Sequence, residues 1–460
     1  MKDWINPARE SEGISRPSFK AFFPLDKAKI NTIKGDYRAI RSLGLKTAHF
    51  SMPGGMWSWI IFCFTEEIPM KKSLSWTLFF LAMVLMFGLP AAAQETIKVG
   101  MYADLSAGSA QWGNDALKGA KLKVKEVNAG GGVLGKKIDL IAYDCKMSPT
   151  EGVKVYSRLA REDKVSAVYG SLISNIGLAV SPVAEPTKIP VVSRAMDERV
   201  TTPDFKMEDP ENPGRVNPYC FLLQPSSYQQ SYMIAGFAID EMKMNTFAQL
   251  FTPSNSYSLM LAKGFEYYVK KRGKKMLGDF EFQAGDADFK AQLTKVKALG
   301  PDGFYIPNYV PENANAAKQV RELGIKTTML GNNSWFEPMD KVAGSAADGA
   351  YFVLNISRDD PTLKPFIDKY NKEYGELPRL HSFSGWDDVG FIIEAIKRSQ
   401  STDPQVIRNT MEKMTQYEGL IGTINIDPKT HRPVGLKMSI LKFEGDKIKT
   451  ARLKYYPKDF

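Results

Sequence analysis

Two rhythms of apolar and polar positions alternate along most of the chain. Ile97 to Ala103 is a nearly unbroken apolar run, followed by a polar loop from Asp104 to Gly113; Leu117, Ala120, Val124 and Val127 then recur at helical spacing. The run predicts a buried strand. The spacing predicts a helix capped by Asn114 or Asp115 and stopped at Gly130 to Gly132. A second strand is predicted over Lys137 to Tyr143, and strand, loop, helix, strand is the unit of a parallel sheet.

The unit recurs. Val153, Val155, Leu159 and Ala160 mark a helix, Val165 to Tyr169 a strand, and Gly170 to Asn175 a small polar loop that opens the next helix. Far downstream, Phe289, Leu293, Val296 and Leu299 mark a helix, Gly303 to Ile306 a strand, and Pro307 to Tyr309 the loop after it. Further buried strands are predicted at Ile189 to Ser193, Thr246 to Phe251 and Thr328 to Leu330, whereas Thr202 to Pro218 is a surface loop. The expected fold class is therefore α/β, with two Rossmann-like, flavodoxin-like lobes built on parallel central sheets. Ligands of such sheets sit where loops leave the carboxyl ends of the strands, so two facing lobes would form a cleft there.

The start of the chain follows neither rhythm. Residues 1–69 hold no helix or strand pattern long enough to bury a core, and are expected to be a spurious or unstructured extension. From Met70, two lysines precede the 16-residue uncharged run Leu74 to Leu89, which Ala91-Ala92-Ala93 follows before Gln94. This is the pattern of a secretory signal peptide over residues 70–93, cleaved near Ala93. The run is short of the roughly 20 residues a spanning helix needs. A soluble periplasmic product is expected, with an uncleaved membrane anchor as the alternative. Export would place Cys145 and Cys220 in an oxidising compartment, where they either form one disulfide or remain two separate buried thiols.

Composition narrows the function classes. The net charge of +10 over 460 residues is spread without a clustered basic face, which argues against nucleic acid as a partner. Three Cys and three His leave little scope for a metal site or a metal cofactor, and none is expected. The chain after the leader offers only His381 and His431 as bases, with no nucleophile elbow, Walker pattern or GxGxxG. An enzyme of flavodoxin or dehydrogenase type remains the alternative class. Binding fits better. Ser106, Ser171, Ser174 and Asn175 stand at loop-to-helix junctions, where free N–H groups and the helix dipole attract a carboxylate. Trp112, Tyr257, Tyr309, Trp335 and Trp386 lie beside predicted strand ends or loops, where they can wall an apolar ligand.

Several stretches carry a family resemblance: Val127-Asn-Ala-Gly-Gly131, the loop Gly170 to Ser174, Pro182-Val-Ala-Glu185 before Ile189-Pro190, Asp286-Ala-Asp-Phe289, and Lys318 to Lys326 before Met329-Leu-Gly331. Together they resemble the type I periplasmic binding proteins of the leucine/isoleucine/valine-binding family of ABC transporters. The resemblance covers essentially the whole chain after the leader. It implies a hinged protein that captures an amino-acid-like solute (a branched-chain amino acid, an amide or a relative) and delivers it to ABC permease subunits, or, as the alternative, a sensing subunit that feeds a signalling receptor. It implies a three-segment hinge with crossings placed near 225, 356 and 425, hence one lobe of 94–225 with 357–424 and another of 226–356 with 425–460. By position, Ser174 and Ala195 match residues that hold the ligand's carboxylate, Trp112 an aromatic wall, Tyr257 and Tyr309 second-lobe contacts, and Trp386 a Tyr near the cleft. Two departures stand out. Asn333 replaces the acid that pairs the ligand's ammonium, and Asp197 replaces a hydroxyl residue. Asp104 is also unusual in the first loop. Either the first lobe meets the ammonium, or the ligand is no ordinary branched-chain amino acid.

Overall fold

In a computed structural model, residues 46–50, 59–63 and 95–458 are described. The expected signal peptide and its cleavage site lie outside them. Where the sequence predicts no strand, β1 (Lys46–Phe50) and β2 (Trp59–Cys63) pair as an antiparallel hairpin, Lys46 opposite Cys63. The rest of the fold is a separate compact unit from Ala93 onward.

That unit begins with β3 (Thr96–Ala103), α1 (Ala110–Ala129), β4 (Lys137–Asp144), α2 (Pro149–Arg158), β5 (Ala167–Tyr169), α3 (Ser174–Thr187), β6 (Val191–Ser193) and β7 (Cys220–Leu222). The five strands form a parallel sheet in the order β4-β3-β5-β6-β7. Helix α1 starts earlier than the sequence predicts. The Asp104 carboxylate accepts from Ala107 N (2.7 Å), Ser109 N (2.7 Å) and Ser109 Oγ (2.8 Å), which closes the loop and lets the helix begin at Ala110.

After α4 (Ser227–Asp240), the pattern repeats with β8 (Thr246–Phe251), α5 (Ser256–Lys271), β9 (Lys275–Glu281), α6 (Lys290–Leu299), β10 (Gly303–Tyr305), α7 (Val310–Glu322), β11 (Thr328–Gly331), α8 (Met339–Ala343) and β12 (Tyr351–Leu354). The second sheet runs β9-β8-β10-β11-β12, all parallel, and gains two antiparallel edge strands, β17 (Met438–Glu444) and β18 (Lys447–Tyr455). Each sheet thus has its first strand second from one edge, as in doubly wound folds.

Between β12 and β17 lie α9 (Lys364–Tyr374), α10 (Leu380–Ser399), α11 (Pro404–Glu412) and the short ladders β13 (Tyr417–Gly419) with β14 (Gly422–Ile424) and β15 (Ile426–Asp427) with β16 (Arg432–Pro433). Helix α10 packs on α1 with almost no side chain between them: a Cβ on Gly119 would stand 1.9 Å from Ser382 O, and one on Gly385 1.9 Å from Ala116 O. His431 stacks on Phe221 at 4.2 Å and accepts from Leu222 N through its carbonyl. The chain is therefore still against the first sheet at 431, past the crossing placed near 425.

No disulfide joins Cys145 and Cys220; both are free, buried thiols. Sheet order explains why. Cys145 follows β4 at one edge and Cys220 opens β7 at the other. Four strand spacings of about 4.8 Å separate them, against a bridging limit of about 7 Å between Cα atoms. Burial pushes the Cys145 thiol up to about 12, so it stays protonated.

Arg194, in the loop after β6, meets Asp388 of α10 through Nε (2.6 Å) and Nη2 (2.8 Å), and the two side chains are 2% and 0% exposed. Removing one partner strands a buried charge. Arg194→Met is expected to cost about 3–5 kcal/mol in urea denaturation, and Arg194→Met with Asp388→Leu to recover most of it. Equal loss in both variants would count against the pair as the cause.

Candidate functional site

The loops that leave the carboxyl ends of both parallel sheets face each other across a small cavity of about 40 Å³. Four helices begin there, because each parallel strand is followed by a loop that opens the returning helix. Trp112 sits on the first turn of α1, Ser174 opens α3, Tyr257 lies on the first turn of α5, and Tyr309 immediately precedes α7. All four line the cavity.

On the first-lobe side, Ser174 Oγ accepts from Met196 N at 3.2 Å. The residue before it, Ile173, offers no side-chain cap, so no side chain satisfies the first N–H groups of α3. The guanidinium of Arg194 also reaches the lining. Its Nη1 points at Gln224 Oε1 (3.4 Å), while Gln224 Nε2 donates to Arg194 O (2.6 Å). His381, on the first turn of α10, packs its ring 5.4 Å from Trp112, and its Nδ1 has no hydrogen-bond partner.

On the second-lobe side, the rings of Tyr257 and Tyr309 stack at 4.9 Å and 6°. Burial holds both hydroxyls well above their ordinary range, so each keeps its proton. Tyr257 donates that proton to Asn333 Oδ1 at 2.5 Å, and Asn333 Nδ2 is turned to the Met196 thioether, 3.6 Å away. Asn255 caps α5 by accepting from Tyr257 N (3.0 Å), which fixes the tyrosine's place.

The two sides touch. The Trp112 and Tyr309 rings are 5.8 Å apart, Asn333 meets Met196, and Ser256 N donates to Asn175 Oδ1 at 3.4 Å. The lobes are thus closed on each other. Two carboxylates in the lining are already occupied: Asp115 is held by Arg379 (2.7 and 2.8 Å) and Glu337 by Arg358 (2.6 and 2.8 Å).

Of the residues singled out from sequence, Trp112, Ser174, Tyr257, Tyr309 and Asn333 meet in this cleft. Ala195 is buried beside it without reaching the lining. Asp197 turns away to accept from Arg199 N (2.9 Å) and to pair with its guanidinium (2.6 Å), and Asp104 is spent on its own loop. Trp386 faces elsewhere. Five residues beyond His381, it sits about 140° further round α10, against Phe366 and beneath the ammonium groups of Lys123 and Lys369. Trp335 is in the core, donating to Ile306 O. Ser106 bonds Asp144 and Ser171 bonds Ile173 O. Arg194, Met196, Gln224 and His381 were not anticipated. Only His381 had a visible signal, as one of two histidines beyond residue 93.

A family model described as periplasmic binding protein matches residues 96–447. The chain belongs to that family. This periplasmic binding protein is similar to Leu/Ile/Val-binding protein homolog 7 of Brucella melitensis, with 26% identity over 335 residues, 70% of this chain and 82% of the relative. It is also similar to the leucine-, isoleucine-, valine-, threonine-, and alanine-binding protein of Pseudomonas aeruginosa, with 24% identity, 75% of this chain and 89% of the relative. Among solved structures, the branched-chain amino acid transporter substrate binding protein LivJ of Streptococcus pneumoniae, in complex with isoleucine, superposes with a TM-score of 0.69 at 26% identity. The match covers 78% of this chain and 100% of that one. A Rhodopseudomonas palustris solute binding protein in complex with benzoate shares the fold, with a TM-score of 0.66 at 18% identity, covering 78% and 96%.

Burial and the nearby charge of Arg194 push His381 down to about 3. A base depressed in the folded state gives its full contribution above its ordinary value of about 6.5, and loses it as pH falls from there toward 3. Urea stability of the periplasmic binding protein is therefore expected to decline across that window more steeply than that of His381→Asn. Parallel curves would count against His381 as the titrating group.

Proposed function

We propose that this periplasmic binding protein is the solute-capturing subunit of an ABC importer, closing two lobes over a small, carboxylate-bearing, amino-acid-like solute and handing it unaltered to permease subunits in the membrane. The observation that carries this reading is the cleft itself: polar groups from both sheets converge on one cavity, and rings from opposite lobes touch across it. A solute held by both sides stabilises the closed state over the open one by its differential contacts, and no bond needs to be made or broken.

Within this reading each group has a distinct task. The uncapped start of α3 and the Ser174 hydroxyl suit a carboxylate, which accepts from backbone N–H groups and lies at the positive end of the helix dipole. Arg194 adds a cation at the cleft floor, already balanced by Asp388. Trp112, Tyr257 and Tyr309 cover the apolar body of the solute. The names of the relatives and the isoleucine complex of LivJ support a solute of amino-acid size. We place the lobes at 94–225 with 357–424 and 226–356 with 425–460, keeping 431–433 with the hinge. The signal peptide pattern supports delivery to the periplasm after cleavage near Ala93.

A thermal-shift screen of amino acids, amides and small carboxylates tests the proposal. A solute at 100 times its Kd should add about 2.7 kcal/mol to stability. Ser174→Ala should weaken binding of that solute about tenfold while leaving the ligand-free melting temperature within a few degrees. Absence of any shift across all three classes would refute the reading.

A further inference from the structure

The second-lobe wall presents an amide donor to the cleft, whereas an amino acid also brings an ammonium that needs an acceptor. An ammonium has three N–H groups and no lone pair, so its partner must be a carboxylate or a free oxygen. On that wall stands Asn333, whose Oδ1 is already occupied by the Tyr257 proton at 2.5 Å. Burial keeps that hydroxyl protonated. The amide is thereby held with Nδ2 toward the cleft, and its neighbour there is the Met196 sulfur, a weak acceptor. The Nδ2 group thus remains available to donate to a solute.

No other side of the lining supplies the missing negative charge. Asp115 and Glu337 are each held in a two-pronged pair with an arginine. Asp104 and Asp197, the two acids that could have met an ammonium from the first lobe, are bound within their own loops. His381 faces the cleft as a neutral ring beside the guanidinium of Arg194.

We propose that the cleft selects a carboxylate without an α-ammonium, a 2-oxo acid above all, over the matching 2-amino acid, with Asn333 Nδ2 donating to the oxygen that stands where the ammonium would be. This rests on the reading of the cleft as a carboxylate site. Tyr257 acts here as a positioning residue, setting which end of the amide faces inward. Because the two acids differ at one group and share their carboxylate and side chain, the preference belongs to Asn333 and not to the walls.

The test is isothermal titration calorimetry on the full exported protein with matched pairs: valine and 3-methyl-2-oxobutanoate, leucine and 4-methyl-2-oxopentanoate, phenylalanine and phenylpyruvate, with benzoate alongside. At least one oxo acid should bind roughly tenfold or more tighter than its amino partner, and Asn333→Asp should reverse the order. Tyr257→Phe, which frees the amide to turn over, should shrink the preference while keeping the oxo acid measurable. Amino acids binding as tightly as their oxo partners, or tighter, would overturn the inference and leave the carboxylate reading standing. If no pair member and no benzoate binds, both fall.

Discussion

A parallel strand cannot turn back on itself; it must return through a helix, so every loop that follows a strand leaves at the same edge of the sheet. That constraint organises this molecule twice over. In each lobe it gathers the polar ends of loops and the uncovered N–H groups of helix starts along one rim. When the rims face each other, the cleft is lined with donors before any side chain is specified. Side chains then refine the rim that topology has laid out.

Much of this was legible in the sequence, for a physical reason. The buried strands of parallel sheets read as continuous apolar runs, and the helices that cover them keep one apolar stripe, so β3, β8 and β10 stood out within a residue or two. The residues at helix starts, Trp112, Ser174, Tyr257 and Tyr309, could be placed at the cleft because a strand end predicts a loop and a loop predicts the rim. Position along one element was legible; pairing between distant ones was not. Arg194 stands directly after a strand, yet nothing around it announces Asp388 on α10 as its partner. The same gap left the state of the cysteines open, since only the order of strands reveals that they occupy opposite edges. Trp386 failed on phase: being on the right helix is not enough when the residue is more than a third of a turn from the face that matters.

Buried polarity in the cleft is concentrated in units that satisfy themselves. Arg194 with Asp388, Arg379 with Asp115, Arg358 with Glu337 and Tyr257 with Asn333 are each joined by hydrogen bonds within the pair. This arrangement lowers the cost of desolvating the lining when the lobes meet, because few groups lose water without replacement. Among the described residues that line the cleft, His381 Nδ1 is the buried side-chain atom left without a partner.

The near-bare contact between α1 and α10 has a consequence for how this scaffold could acquire new tastes. With Gly119 and Gly385 letting backbone lie on backbone, Trp112 and His381 ride on one stiff plate and cannot drift apart to admit a bulkier guest. Laboratory selection for altered cargo should therefore accumulate its changes on the opposite wall, around Tyr257, Tyr309 and Asn333, and leave the glycine seam untouched.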